Sequence, residues 1–305
     1  MSTNLSPRDL AGVIGVSESS LKRWVDDGRL EAQRTSGGHR RIAIQEAIRF
    51  LRRSAMELPQ PEMLGLPDLT SQFVSIVSAG KGDLALLDAL RRGDAPAVRG
   101  LILAEFLLSR AVGPIFDGPL AYATNRLAEE LRASGDGRLT AHRATELLTA
   151  AIDQVQSLIA PPAFNAPVAT VCALSAGDPL AQLIAATAIK ECGFTLAPDI
   201  NAPSDPGFPL SIHNSGTVLI IACIAPDTTR TEIETALPEL ARLAARGIPV
   251  ILSGAGRSAL GAASGVLSAG SICELQAIAR AVRTQLAEKT AKPDVALRGK
   301  ALRTA

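Results

Sequence analysis

The chain has 305 residues, of which 31 are Lys or Arg and 30 are Asp or Glu, so its formal net charge is only +1. This balance excludes a general polyanion binder, and a hydrophobic content of 47% excludes a disordered chain. The longest apolar runs, such as 218–226, are far shorter than the ~20 residues that cross a bilayer. The N-terminus also lacks the charged start and apolar core of a secretory signal. We therefore predict a cytoplasmic protein of two or three domains.

Two short helices are predicted near the N-terminus. Ser6-Pro7 combines a cap residue with a proline at the first helical position, and Gly15 ends the helix that follows. Ser17 caps the second helix and Gly28 ends it. The apolar face of this second helix consists of Leu21, Trp24 and Val25, so Trp24 is interpreted as a core anchor and not as a base-stacking platform.

A β-hairpin follows the second helix. Residues from Leu30 to Thr35 lead outward, Gly37-Gly38 permits a tight reversal, and His39-Arg40-Arg41 returns. The tip is therefore cationic. Helix, glycine turn, helix and hairpin together are the pattern of a winged helix-turn-helix, in which the second helix enters the major groove.

Residues 5–54 resemble the winged-helix head of MerR-family regulators. The resemblance rests on Ser20-Leu21-Lys22-Arg23-Trp24, Gly28-Arg29-Leu30, Arg34-Thr35 and Gly37-Gly38-His39-Arg40-Arg41-Ile42. Residues 1–54, called the head below, hold ten Lys or Arg against six Asp or Glu, and clustering of these cations favours DNA over a solvated basic face. The resemblance implies contacts to double-stranded DNA by Ser19, Lys22, Arg23, Arg34, His39, Arg40 and Arg41.

The remaining chain divides by composition. The residues from Ile44 to Arg53 are predicted to form a helix with Arg49, Arg52 and Arg53 on the side away from its apolar face. The proline-rich stretch 55–70 is interpreted as a linker without a regular element. Four helices are predicted over 71–160, as in a small helical bundle. The last predicted segments are a strand-and-helix domain over 161–288 and a basic tail over 289–305.

Apolar strands alternate with helices in the C-terminal half. Strands are predicted at 168–174, 194–197, 217–224 and 248–253, with a short further one at Val266-Leu267. Strands without polar alternation that are separated by helices indicate a doubly wound parallel sheet. The predicted fold class is thus multidomain: a winged helix-turn-helix, a four-helix bundle and a Rossmann-like sheet.

This order of domains is similar to that of the cobalamin-dependent photoreceptor regulators of the MerR family. In that family a loop after the first strand supplies a histidine to cobalt, in the pattern Asp-x-His-x-x-Gly. Here Ala176, Asp178 and Ala181 occupy the three informative positions. Because a carboxylate is a poor substitute for imidazole at cobalt, we expect no histidine ligation from this loop and no bound cofactor.

Other family positions differ as well. The pattern that seats the nucleotide tail reads Ala222-Cys223-Ile224, and the Gly-Gly pattern reads Ser253-Gly254. In the bundle, the capping tryptophan would fall at Leu131, and only His142 is retained of a Glu-His pair. His142 is the leading candidate for an alternative in which cobalamin or haem still binds, and His213, predicted in a loop, is a weaker candidate. Gly254-Ala255-Gly256 indicates a simple turn more than a ligand-binding backbone.

Four cysteines, Cys172, Cys192, Cys223 and Cys273, stand far apart in apolar surroundings without metal-site spacing, and we predict buried thiols. The chain has no Ser-His-Asp order, no paired loop carboxylates and no phosphate loop, so we predict no enzyme. The leading hypothesis is a sequence-specific transcriptional regulator that acts as a homodimer or higher oligomer. The alternatives are a tetrapyrrole sensor and an antirepressor that binds another regulator protein.

Overall fold

The computed structural model describes residues 4–134, 138–174, 179–198, 202–225, 228–254, 256 and 265–291. The chain forms two compact units. We call Met1–Ala163 with Pro179–Glu191 the helical unit, and Phe164–Asp178 with Cys192–Ala305 the sheet unit. Within the described part of the chain, no helix has both the length and the apolar character that a membrane crossing requires.

The head begins the helical unit, and its local sequence signals account for its elements. The side chain of Ser6 accepts the backbone N–H of Asp9 (3.2 Å), and the Asp9 carboxylate accepts the N–H of Ser6 (2.9 Å), which forms a capping box. The Ser6 hydroxyl also donates to this carboxylate (2.7 Å), and this bond, with that from the Ser6 N–H, holds the pKa of Asp9 below its usual value. The elements are β1 (Asn4–Leu5), α1 (Pro7–Ile14), α2 (Glu18–Asp26), β2 (Gln33–Arg34), β3 (Arg40–Ala43) and α3 (Ile44–Ser54).

Strand β1 has no counterpart among the sequence predictions. It pairs antiparallel with β3, with Leu5 opposite Ile42, so the hairpin becomes a three-stranded sheet. Leu5 and Ile42 are buried. Two residues carry too little periodicity for a strand to be predicted, and only the partner strand makes this one regular.

Segment 55–70 packs against α1, although its composition predicted no regular element. It contains a turn of 3₁₀ helix, Pro61–Leu64, and its leucines Leu58 and Leu64 are buried. The N–H of Gln60 donates to the carbonyl of Val13 (3.4 Å). Gly12 lies so close to this segment that a Cβ there would stand 2.4 Å from the sulfur of Met63. The segment therefore belongs to the packed core of the helical unit.

The rest of the helical unit consists of helices, and the four that the apolar periodicity predicted are present. Leu87 and Leu90 are buried as expected, but Leu84 is exposed. Arg52, which the periodicity placed on the outer side of α3, is instead nearly buried. The helices are α4 (Ser71–Ser78), α5 (Gly82–Arg92), α6 (Ala95–Leu108), α7 (Gly113–Ile115), a π-helical turn (Phe116–Leu120), α8 (Ala121–Ser134), α9 (Arg138–Leu158) and α10 (Pro179–Glu191).

The sheet unit is built on a parallel sheet of five strands in the order β5-β4-β6-β7-β8. Its apolar core includes the fully buried side chains of Phe208, Ile220 and Leu240. The order reverses beside β4, so the carboxyl ends of β4 and β6 form the topological switch point. The elements are β4 (Val168–Ala173), β5 (Thr195–Leu196), α11 (Phe208–Asn214), β6 (Thr217–Cys223), α12 (Arg230–Ala245), β7 (Val250–Ser253), β8 (Leu267–Ser268) and α13 (Ile272–Ala291).

Two predictions in the sheet unit are corrected. His213 lies in the last turn of α11, not in a loop, because Phe208 and Ile212 anchor a helix that the sequence analysis missed. Cys273 is exposed, since the first turn of α13 carries it at the surface, whereas Cys172, Cys192 and Cys223 are buried as predicted.

Candidate functional sites

The predicted DNA-contacting residues lie on α2 and on the hairpin of β2 and β3. The side chain of Ser17 accepts the N–H of Ser20 (3.1 Å) and so starts α2, and Gly28 follows its end in the left-handed region (φ 71°). Ser19, Lys22 and Arg23 are exposed on this helix. The hairpin carries Arg34, His39 and Arg41 as exposed residues, whereas Arg40 is half-buried.

Hydrogen bonds within the turn shape the cationic tip of the hairpin. The N–H of Thr35 donates to the carbonyl of His39 (2.9 Å), and the N–H of His39 donates to the hydroxyl of Thr35 (3.2 Å). Gly38 takes φ 78°, which a side chain would disfavour, and its N–H donates to the carbonyl of Thr35 (2.8 Å). Arg34 and Arg41 therefore extend from a defined turn.

Two of the predicted contact residues are ion-paired within the head. Arg40 pairs with Asp26 at the end of α2, and the Arg40 side chain is only 21% exposed. Lys22 pairs with Glu18 one turn earlier on α2 (2.8 Å), where both side chains are about half exposed. A surface pair of the second kind is weak and breaks readily when a phosphate approaches, whereas the first joins two elements.

Trp24 packs against α3. Its ring centroid lies 5.6 Å from that of Phe50, and the guanidinium of Arg29 stands 5.4 Å from the Trp24 centroid. The aromatic pair connects α2 to α3, and the cation covers the outer face of the indole. Trp24 thus supports the head instead of presenting a free stacking surface.

A cleft of about 440 Å³ separates the end of α2 from the hairpin, and its lining includes Val25, Leu30 and Arg41. Glu46 lines it as well and is only 8% exposed. The Glu46 carboxylate accepts the N–H of Glu31 (3.1 Å) and the Nε–H of a neighbouring arginine on α3 (2.7 Å). Sequence reasoning missed Glu46, because a lone glutamate inside an amphipathic helix carries no signal of burial.

In the sheet unit, the carboxyl ends of the strands are where a doubly wound fold binds ligands. Buried apolar side chains there include those of Cys172, Ala222 and Ile224, and β7 ends in the buried Ser253. Gly254 has φ 103°, and a Cβ on it would stand 2.5 Å from the carbonyl oxygen of Ile224. The N–H of Gly256 donates to that same oxygen (3.1 Å). These glycines therefore allow two loops to touch, which favours the turn interpretation.

The chain has three histidines, of which His39 and His142 belong to the helical unit and His213 to the sheet unit. His213 lies in the last turn of α11, shortly before β6 begins at Thr217, so it lies near the amino end of that strand. His142 is exposed near the start of α9 and pairs with Glu146 (3.3 Å). Among the described residues, no group of three His, Cys, Asp or Glu side chains suits a metal. Among the described residues of the sheet unit, no imidazole therefore lies at the carboxyl ends of the strands.

The degenerate loop predicted from the family pattern lies largely outside the described residues. Ala176 and Asp178 belong to the stretch that the structure does not describe. Ala181 lies in the first turn of α10, as part of a continuous helix.

The parallel sheet, its strand order and its helices define a cobalamin-binding-type, Rossmann-like fold. The monomethylamine corrinoid protein of Methanosarcina barkeri matches with a TM-score of 0.50 and 14% identity over 65% of this chain and 96% of that one. This likeness is one of fold. No family model and no curated protein matches the chain.

Two further solved structures match with TM-scores of 0.32 each. One is the methanol:cobalamin methyltransferase complex of Methanosarcina barkeri, at 13% identity over 68% of this chain and 84% of that one. The other is a cobalamin-binding protein of Desulfitobacterium hafniense, at 16% identity over 69% of this chain and 95% of that one.

Proposed function

We propose that the protein is a DNA-binding transcriptional regulator with a MerR-like winged-helix head. The observation that carries this proposal is the placement of exposed cations on two linked elements. Arg23 projects from α2, Arg34 and Arg41 project from the hairpin, and the Arg40–Asp26 pair ties the two elements together. In this proposal α2 enters the major groove and the hairpin forms the wing on the phosphate backbone.

One head offers a small surface, so useful affinity requires at least two heads on one duplex. We propose that the protein acts as a homodimer or higher oligomer. The sheet unit, in this proposal, has lost cobalt ligation and serves oligomerisation or the detection of another signal. Binding of a second regulator protein is the alternative use of the same unit.

The test is a fluorescence anisotropy titration of a labelled duplex at several salt concentrations. Phosphate contacts predict that the logarithm of the association constant falls linearly with the logarithm of the salt concentration. A variant with Arg23, Arg34 and Arg41 all replaced by Gln should bind more weakly and show a slope smaller by about 3. The control replaces Arg91, Arg126 and Arg230, which are exposed outside the head, and should keep the slope. Equal slopes for both triple variants would refute the proposed interface.

The second candidate is a cobalamin-binding regulator, which the likeness of the fold to that of a corrinoid protein favours. The isolated protein, mixed with cobalamin and dialysed, should then keep a red colour and its visible absorbance. Haem is tested in the same way. Replacing His142 with Ala shows whether that exposed histidine takes part, and a colourless protein in every case supports the first proposal.

A further inference from the structure

A nearly buried ion pair joins the end of α3 in the head to the end of α10. One guanidinium nitrogen of Arg52 lies 2.7 Å from a carboxylate oxygen of Glu191, and the two side chains are 10% and 12% exposed. Both residues belong to the helical unit. By contrast, the side chains of the surface pair Arg91 and Glu130 in the same unit are 44% and 36% exposed.

The surroundings of the pair fix both partners. The Nε–H of Arg52 donates to the carbonyl of Ser109 (2.8 Å), and its guanidinium lies 4.0 Å from the ring centroid of Phe106. The second carboxylate oxygen of Glu191 accepts the N–H of Val112 (2.9 Å). These contacts, which we call the Arg52–Glu191 node, join α3 to the connection between α6 and α7 and to the last residue of α10.

Stability alone is a poor explanation for such a node. Burial lowers the pKa of Arg52, and the nearby Glu191 carboxylate opposes that shift. Buried ion pairs are often no more stabilising than apolar side chains of similar volume, because both charges lose their water. What the node does supply is two directional hydrogen bonds, from Arg52 to the Ser109 carbonyl and from the Val112 N–H to Glu191. These bonds form when α3, α10 and the connection between α6 and α7 are in this arrangement.

Helix α10 has an unusual position in the chain. It belongs to the helical unit, but Asp178 before it and Cys192 after it belong to the sheet unit. Glu191 is therefore the last residue of a helix whose two ends continue along the chain into the sheet unit.

We propose that the Arg52–Glu191 node couples the position of α10 to the head and thereby regulates its binding to DNA. The effect on DNA binding rests on the proposed function, whereas the link between α10 and α3 does not. A displacement of α10 would move the carboxylate of Glu191, and Arg52 would either carry α3 with it or lose a buried partner. By linkage, DNA bound to the head must in turn stabilise the end of α10.

The experiment measures amide hydrogen exchange of the full-length protein with and without a random-sequence duplex of about 30 base pairs at low salt, where non-specific binding is strongest. In the wild type, DNA should slow exchange in the last turn of α10, residues 186–191. In Arg52→Met, which replaces the cation with an apolar chain, this protection should fall at least about 5-fold. Arg52→Met with undiminished protection would overturn the proposal.

Arg91→Met is the matched control, because Arg91 is ion-paired with Glu130 on another pair of helices. It should leave the protection of α10 unchanged. A loss in both variants would mean that any lost ion pair loosens the unit, and would overturn the coupling role.

A second arm needs no DNA and so separates the two proposals. Glu191→Gln keeps the size of the side chain and removes its charge. The node predicts faster exchange in α3, residues 44–54, at the far side of the pair, and unchanged exchange there would overturn it. If the wild type binds no DNA but Glu191→Gln loosens α3, then the proposed function fails while the mechanical link stands. This arm also applies if Arg52→Met does not fold.

Discussion

Arg40 on β3 is ion-paired with Asp26 at the end of α2, and it does this while standing directly opposite Arg34 in the hairpin register. Like charges on facing positions of two strands destabilise their pairing. Asp26 offsets that repulsion and attaches the hairpin to the helix. The two adjacent arginines of β3 therefore differ: Arg41 is exposed, whereas Arg40 is engaged in an ion pair that holds the hairpin against α2.

This division predicts different behaviour for two adjacent arginines. Arg41→Gln should reduce the salt slope of DNA binding by about 1, because it removes a phosphate contact. Arg40→Gln should leave the slope nearly unchanged and lower the midpoint of thermal unfolding, because it removes an intramolecular pair. Anisotropy titrations and calorimetry measure the two effects. A slope that falls equally in both variants would show that Arg40 also faces DNA.

Glu105 on α6 predicts a pH-dependent stability. Burial, assisted by the charge of Asp83, raises the pKa of Glu105 from 4.5 to about 7. The folded protein thus prefers the neutral acid, and the unfolded chain releases its proton first. The free energy of unfolding should therefore fall as pH rises from about 4.5 to about 7, and then level off. Because the carboxyl group is partly open to solvent, we expect a loss of about 1 kcal/mol.

Urea denaturation at several pH values measures this loss. The Glu105→Gln variant should lose the part of this pH dependence that Glu105 contributes. The Glu129→Gln variant, which changes an exposed ion pair on α8, should keep the full pH dependence. A wild-type profile that is flat from pH 4.5 to pH 7 would contradict the assignment.

The conformation and close surroundings of Gly254 predict that adding one methyl group there destabilises the protein. Its φ of 103° and the contact of 2.5 Å between a built Cβ and the Ile224 oxygen leave no room for alanine. We expect Gly254→Ala to lower the free energy of unfolding by about 3 kcal/mol. Gly216 is a matched control: its φ is 67°, but nothing lies within 4 Å of a built Cβ. Gly216→Ala should lower the free energy of unfolding by only about 1 kcal/mol. Equal losses of stability in the two variants would show that the close approach of Gly254 to the Ile224 oxygen has no effect.

The cysteines predict selective alkylation of the native protein. Burial raises the pKa of Cys172 to about 12, whereas Cys273 is exposed. A maleimide at neutral pH should label Cys273 at least about 10-fold faster than Cys172, because the thiolate is the reactive form. Mass spectrometry of tryptic peptides after timed labelling measures the ratio. Labelling in denaturant, where the two rates should converge, is the control.

Helix ends were readily predicted, because capping acts over a few residues. Ser6 and Ser17 bond to N–H groups three residues later, and Gly15 and Gly28 take the left-handed conformation that follows a helix. The buried strands β4, β6 and β7 were also predicted, since an unbroken apolar run has few other solutions. The short elements β1 and α11 were not, because their regularity depends on Ile42 and on the core of the sheet unit.

The sequence by itself determined the order of most helices and of the buried strands, and the cationic character of α2 and the hairpin. Only the tertiary structure decided which of these cations form ion pairs between separate elements of the fold. The sequence pattern places both Arg40 and Arg52 on the outer side of their elements. In the folded chain, Arg40 is ion-paired with Asp26 and Arg52 with Glu191. Periodicity reports which side of an element is apolar, whereas the partner of a charge is set by segments that meet only when the chain has folded.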